Sequence, residues 1–180
     1  MKESEDEKFL YHQYHSISSI EKATKLDDSQ LDQILKIQKV CQLSEWTRND
    51  YQIESERHNS VFLIAKNRNQ RKGIIKDLII GFILLRVNRI VGTDTRCIEA
   101  DLLNFGVSEE FQKQGIGDIL FKESRSILCT LKVNLIWLEV RESNITAIKF
   151  YRKRGFTNSQ IRKNFYTQPI ENAVLMRLEL

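Results

Sequence analysis

The sequence predicts a mixed α/β (α+β) fold, a single sheet of about seven strands flanked by about four helices. Three observations lead there. Segments with strand-like alternation and segments with a helical apolar stripe follow one another along the chain. From Ile98 onward the order reads strand, helix, strand, helix, strand, strand, which makes the sheet mixed. Leu78–Val87 carries apolar residues on both faces, so it belongs at the centre of its sheet.

Residues 1–16 read as a flexible acidic tail and 17–180 as the folded domain. His12 and His15 in the tail have no third ligand nearby and read as solvated, so no metal is expected. Ser18–Thr24 is a short first strand. Asp27-Asp28-Ser29 offers helix caps, with Gln30 and Asp32 placed for a capping box. Leu31, Ile34, Leu35, Val40 and Leu43 make that helix's apolar stripe. A second helix starts at Thr47 and runs past Tyr51. Val61–Ala65 is a strand, Asn67–Gly73 a charged turn, and Gly92 marks the turn after the central strand. Ile98–Val107 is the next strand. Gly115-Ile116-Gly117 opens a helix whose stripe is Ile116, Ile119, Leu120, Ile127 and Leu131. Val133–Val140 is a strand, and Asn144–Lys153 a helix that Gly155 ends in a left-handed conformation. Strands near Ile161 and over Ala173–Leu180 flank a loop at Pro169.

Composition narrows the class. A chain of 180 residues, 41% hydrophobic and 29% charged, buries a core of its own without disulfide or metal. Cys41, Cys97 and Cys129 are odd in number and lack CxxC spacing, so they read as buried free thiols of a reducing compartment. The acidic N-terminus is unlike a signal peptide, and the apolar run Leu78–Leu85 is too short to span a bilayer. A soluble cytoplasmic protein with no membrane partner is expected. The net charge is +4, shared as −3 on the first 28 residues and +7 on the rest. The excess suits a phosphate-rich ligand; without a dense basic run interleaved with aromatics, no nucleic-acid partner is expected.

The most informative stretch is Gln112-Lys113-Gln114-Gly115-Ile116-Gly117, between a strand and a helix. Glycines admit a ligand to the backbone, the first helical N–H groups lack partners, and the helix dipole adds positive potential. Such a turn suits a phosphate, and Lys113 adds a full charge. Asp118-Ile119 stand where a P-loop needs Lys and Ser/Thr, and Leu120 where a dinucleotide fingerprint needs Gly or Ala. A plain strand-to-helix turn stays open on these residues alone.

The stretch resembles the [Gln/Arg]-x-x-Gly-x-[Gly/Ala] signature of the GNAT acetyltransferases. The resemblance implies a largely antiparallel GNAT sheet, with Gln112–Asp118 holding the pyrophosphate of acetyl-CoA (coenzyme A). It also implies a bulged strand end, Phe105-Gly106-Val107, that pairs with the pantetheine arm and supplies oxyanion donors. Asp118 departs from the family, which usually has Arg there.

A second block runs from Trp137 to Phe156. Leu135, Trp137, Glu139 and Arg141 share one strand face, and Asn144, Ala147, Ile148 and Tyr151 share one helix face. Aminolysis of a thioester needs a base for the amine proton and gains from an acid for the departing thiolate. On these residues alone, Glu139 is either that base or a surface carboxylate paired with Arg141. Tyr151 is either the acid or a core aromatic.

Trp137-Leu138-Glu139-Val140-Arg141-x-Ser143-Asn144, with Ala147, Tyr151, Gly155-Phe156 and the tail Ile161-Arg162-x-Asn164-Phe165-Tyr166, closely resembles the ribosomal-protein-alanine N-acetyltransferase (RimI) family. That resemblance implies Glu139 as general base, Tyr151 as general acid and Asn144 as a cofactor contact. It also implies Trp46 near the peptide cleft, with Phe165 and Tyr166 either lining the peptide groove or packing within an ordinary hairpin. The expected reaction acetylates a protein N-terminus, by resemblance the N-terminal alanine of a small-subunit ribosomal protein. A lysine side chain, a small amine, or a non-catalytic coenzyme A-binding role are the alternatives.

Overall fold

The computed structural model describes the backbone of residues 17–71, 74–89 and 98–180. The expected tail (1–16, with His12 and His15), Gly92 and Cys97 lie outside the described residues. Seven strands and four helices are described: β1 (Ser19–Lys22), α1 (Asp28–Val40), α2 (Arg48–Glu56), β2 (Ser60–Arg71), β3 (Ile74–Arg89), β4 (Ile98–Val107), α3 (Ile116–Thr130), β5 (Leu135–Arg141), α4 (Ile145–Lys153), β6 (Thr157–Thr167) and β7 (Ile170–Glu179), with a 3₁₀ turn at Glu109–Phe111. The strands pair in the order β1-β2-β3-β4-β5-β7-β6. β4 and β5 are parallel, while β1/β2, β5/β7 and β6/β7 are antiparallel, so the sheet is mixed as expected.

Local chemistry sets the helix starts. Asp27 caps α1, accepting from Gln30 N at 2.8 Å, while the Gln30 side chain accepts from Asp27 N. Thr47 and Asp50 form the same reciprocal box on α2. Asp32 takes no part in the α1 box; it pairs with Arg48.

Four expectations need correction. Asn67–Gly73 is not a turn up to Arg71, because β2 continues that far and β3 starts at Ile74. Charged side chains are tolerated on a strand when they find cross-strand partners, as Arg68 does in Asp77 at 3.6 Å. In α1, Val40 is exposed and Ile37 buried. In α3, Ile127 and Leu131 are exposed, and the buried row is Ile116, Leu120, Ser124 and Leu128 with Phe121. That row steps by four, so the stripe tilts around the helix and leaves the later apolar positions outside. Cys129 is exposed rather than buried, and Cys41 is half-buried.

The chain divides into two compact units, one running up to Leu84 with Asn104–Ser126, the other Leu85–Leu103 with Ile127–Leu180. The first has its core on Phe62, Phe82, Ile64, Leu84 and Leu120, with Tyr51 edge-on to Phe82 at 5.7 Å. The second is built on Ile136, Leu138, Phe156, Met176 and Leu178. Each such side chain contributes about 1.5–3 kcal/mol on burial. No described helix is long and apolar enough to cross a membrane.

Candidate active site

In the first unit the expected cofactor residues cluster at the end of β4 and the loop after it. The β4–β5 register runs over Glu99–Leu102, and Phe105, Gly106 and Val107 follow at the end of β4. Gly106 is required by packing: a Cβ there would lie 2.9 Å from Ile37 Cγ2 and 3.0 Å from Leu43 Cδ1. Val107 O accepts from Gln112 Nε2 at 3.0 Å and from Cys41 Sγ at 3.3 Å. Burial pushes the Cys41 thiol above its ordinary pKa.

Gln112 thus folds the glycine loop back on its own strand, and Gln114 Nε2 donates to Glu110 O at 2.9 Å. Gly115 has φ +82° and Lys113 φ +59°, so two residues of this short loop are left-handed. A lysine there costs about 1–2 kcal/mol, a strain that composition does not announce. Ile116 is buried and anchors α3, whose first carbonyl, Gly115 O, accepts from Ile119 N at 3.1 Å. Gly117 and the exposed Asp118 follow in the first turn.

Trp46 sits in the α1–α2 connection, held by residues that sequence reading did not single out. Gln38 accepts from Trp46 N at 3.1 Å and donates to Trp46 O at 3.2 Å. Tyr51 Oη donates to Gln38 Oε1 at 2.6 Å, and Asn104 Nδ2 donates to Tyr51 Oη at 3.2 Å. The signal was there: Gln38 is a polar residue on the buried side of an amphipathic helix, and Asn104 one in an apolar strand.

In the second unit, β5 alternates as expected, with Ile136, Leu138 and Val140 buried and Leu135, Trp137, Glu139 and Arg141 on the other face. Glu139 forms an ion pair with Arg162 on β6, not with Arg141. Arg141 is claimed by Glu171 at 3.1 Å and by Gln168 O at 3.0 Å. Trp137 Nε1 donates to Glu99 at 3.0 Å.

Asn144 caps α4, its Oδ1 accepting from Ala147 N at 3.0 Å. Tyr151 is 7% exposed, its ring against Phe150 and Phe156 at 5.5 and 5.4 Å. Its hydroxyl has no hydrogen-bond partner among the described residues, yet no fully buried side-chain oxygen there is unsatisfied. Burial first, and Tyr166 second, push its pKa up against the opposing effect of Arg154, so it stays protonated at neutral pH. Phe165 and Tyr166 meet edge to face at 5.1 Å, with Arg162 over the first ring at 4.3 Å and Arg141 over the second at 4.0 Å.

Residues 31–156 match the model of the acetyltransferase (GNAT) family. The chain belongs to the GNAT acetyltransferase family. Among relatives, the [ribosomal protein bS18]-alanine N-acetyltransferase of Haemophilus influenzae is 35% identical over 135 residues, 70% of this chain and 87% of that protein. The Salmonella typhimurium enzyme of the same name is 40% identical over 84 residues, 46% of this chain. That match spans 57% of the relative's length. The crystal structure of the Escherichia coli ribosomal-protein-S18-alanine N-acetyltransferase superposes with TM-score 0.65 at 26% identity, covering 89% of this chain and 92% of that one. Arabidopsis thaliana NAA60 with acetyl-CoA reaches 0.77 at 18% identity, over 90% and 98%, which supports the fold alone.

Proposed function

We propose that this protein transfers an acetyl group from acetyl-CoA to the α-amine of a protein N-terminus, with a small-subunit ribosomal protein beginning in alanine as the acceptor. Residues 17–180 act as the acetyltransferase domain, and the setting is the cytoplasm, where such an acceptor is made. The observation that carries the reading is Tyr151: a buried phenol, kept protonated, whose hydroxyl is taken by no hydrogen-bond partner among the described residues. A tyrosine whose only task was core packing would gain nothing from that hydroxyl.

The glycine loop fits the diphosphate of coenzyme A. Its left-handed backbone at Lys113 and Gly115 and the start of α3 offer N–H groups to an anion. Gln112, Lys113, Gln114, Ile116, Gly117 and Asp118 complete that loop, and Phe105–Val107, at the end of β4 with Gly106 lacking a side chain, suit the extended arm. Asn144 Nδ2, left over once Oδ1 caps α4, suits a cofactor contact. Acetyl-CoA supplies an activated thioester carbonyl.

The chain's own residues then handle protons. Glu139 accepts the proton that the amine loses on attack, and Tyr151 donates one to the departing thiolate. An α-amine, with pKa near 7.7–8.0, asks little of such a base, whereas a lysine amine near 10.4 asks more. The names of the relatives point to the same acceptor class. Trp46, Phe165 and Tyr166 are assigned to the acceptor.

The deciding experiment follows thiol release from acetyl-CoA with peptides that differ only in their first residues, beside N-blocked lysine peptides. Turnover on alanine-starting peptides supports the proposal. Turnover on lysine peptides alone moves the acceptor to a side chain, and none on any amine leaves a coenzyme A-binding module.

A further inference from the structure

We propose that Asn172 is a positioning residue for the acceptor, holding a bulge in β6 that sets the direction of Phe165 and Tyr166. This rests on the acetyltransferase reading above. Arg162 pairs with Ala173 and Tyr166 with Glu171, so four steps along β6 match two along β7. Two extra residues therefore sit within Lys163–Phe165. In a regular strand Phe165 and Tyr166 would point to opposite faces, but here their rings touch at 5.1 Å.

The bulge is held from one side chain. Asn164 has φ +51°, and its N–H donates to Asn172 Oδ1 at 3.0 Å. Asn172 Nδ2 donates to Glu142 Oε2 at 2.9 Å, and Glu142 N donates to Asn172 O at 3.1 Å. One carboxamide thus ties the bulge to the turn that follows Glu139 by three residues. Arg162, at the bulge's edge, pairs with Glu139 and lies over Phe165.

Core packing does not account for this device. Every residue of β6 except Tyr166 is exposed, and Phe165 is 36% exposed. A bulge that fills no core, yet turns two aromatic rings to the same side beside Glu139's own partner, fits presentation of a surface. Ring edges and guanidinium groups suit the extended main chain and carbonyl oxygens of a peptide's first residues.

The test compares the wild type, Asn172→Ala, and the double variant Asn172→Asp with Glu142→Gln, which exchanges carboxamide and carboxylate and so restores both hydrogen bonds. KM for the acceptor that the wild type turns over best and KM for acetyl-CoA are measured separately, with thermal melts alongside. We expect Asn172→Ala to raise acceptor KM about tenfold, roughly the worth of one hydrogen bond, with acetyl-CoA KM within about twofold. The double variant returns acceptor KM to within about threefold of wild type. Unchanged acceptor KM in a folded Asn172→Ala overturns the inference and leaves acetyl transfer standing. Equal rises in both KM values, or failure of Asn172→Ala to fold without rescue by the double variant, overturn it in favour of general hairpin stability. A wild type that acetylates no amine overturns both.

Discussion

Replacing Tyr151 by phenylalanine removes one oxygen and keeps the ring that packs on Phe150 and Phe156. Because the hydroxyl has no partner among the described residues, no hydrogen bond is lost, and stability should change by less than about 1 kcal/mol. For a chain of this size that is a shift of about 2–4 °C in Tm at most. Catalysis should respond on another scale. A positioned general acid contributes about 10²–10⁴ in rate, or about 2.7–5.4 kcal/mol of barrier. The assay is thiol release with saturating acetyl-CoA and an alanine-starting peptide, run beside a thermal melt of the same preparation. The expected outcome is a kcat lower by at least about a hundredfold with an almost unmoved Tm. A kcat within about threefold of wild type would make Tyr151 a core aromatic and return the thiolate's proton to solvent.

Asp118 places a negative charge at the helix end assigned to the diphosphate. Asp118→Asn should lower KM for acetyl-CoA about two- to fivefold, since a charge at a helix N-terminus is worth about 0.3–1 kcal/mol; steady-state kinetics at low ionic strength reads it. Tyr51→Phe leaves buried Gln38 and Asn104 each short of a partner, which costs about 1–3 kcal/mol and shows as a lower midpoint in urea unfolding. Burial raises the pKa of both Tyr51 and Tyr151, so the unfolded chain loses these protons near pH 10 while the folded one keeps them. Stability should therefore fall as pH rises above about 10, and Tyr151 should give no descending limb in kcat below that pH. Chemical unfolding and rate profiles between pH 7 and 11 check both.

Much of the placement of the candidate site residues was legible because they obey local rules. Glu139 and Tyr151 fall on faces set by periods of 2 and 3.6, and Gly155 takes the left-handed conformation that ends α4. What stayed hidden depends on partners far away in the chain. The ion pair of Glu139 with Arg162 spans 23 residues, and that of Arg141 with Glu171 spans 30. Sequence reading offered Glu139 its neighbour on the same face, Arg141, but strand pairing brought a different arginine. The α3 stripe failed at Ile127 and Leu131 for a related reason, since periodicity yields a helix face but not the place where the neighbouring element ends.

By itself, then, the sequence determined the element order, the capping box of α1, the start of α2 at Thr47, the alternating face of β5 and the glycine turn before α3, all of which rest on interactions within a few residues. Only the tertiary structure decided which cation meets Glu139, that Tyr151 is buried with no described hydrogen-bond partner for its hydroxyl, and that Asn172 holds a bulge in β6. These are matters of register and of side-chain approach between distant segments, and neither is encoded in the spacing of residues along one element.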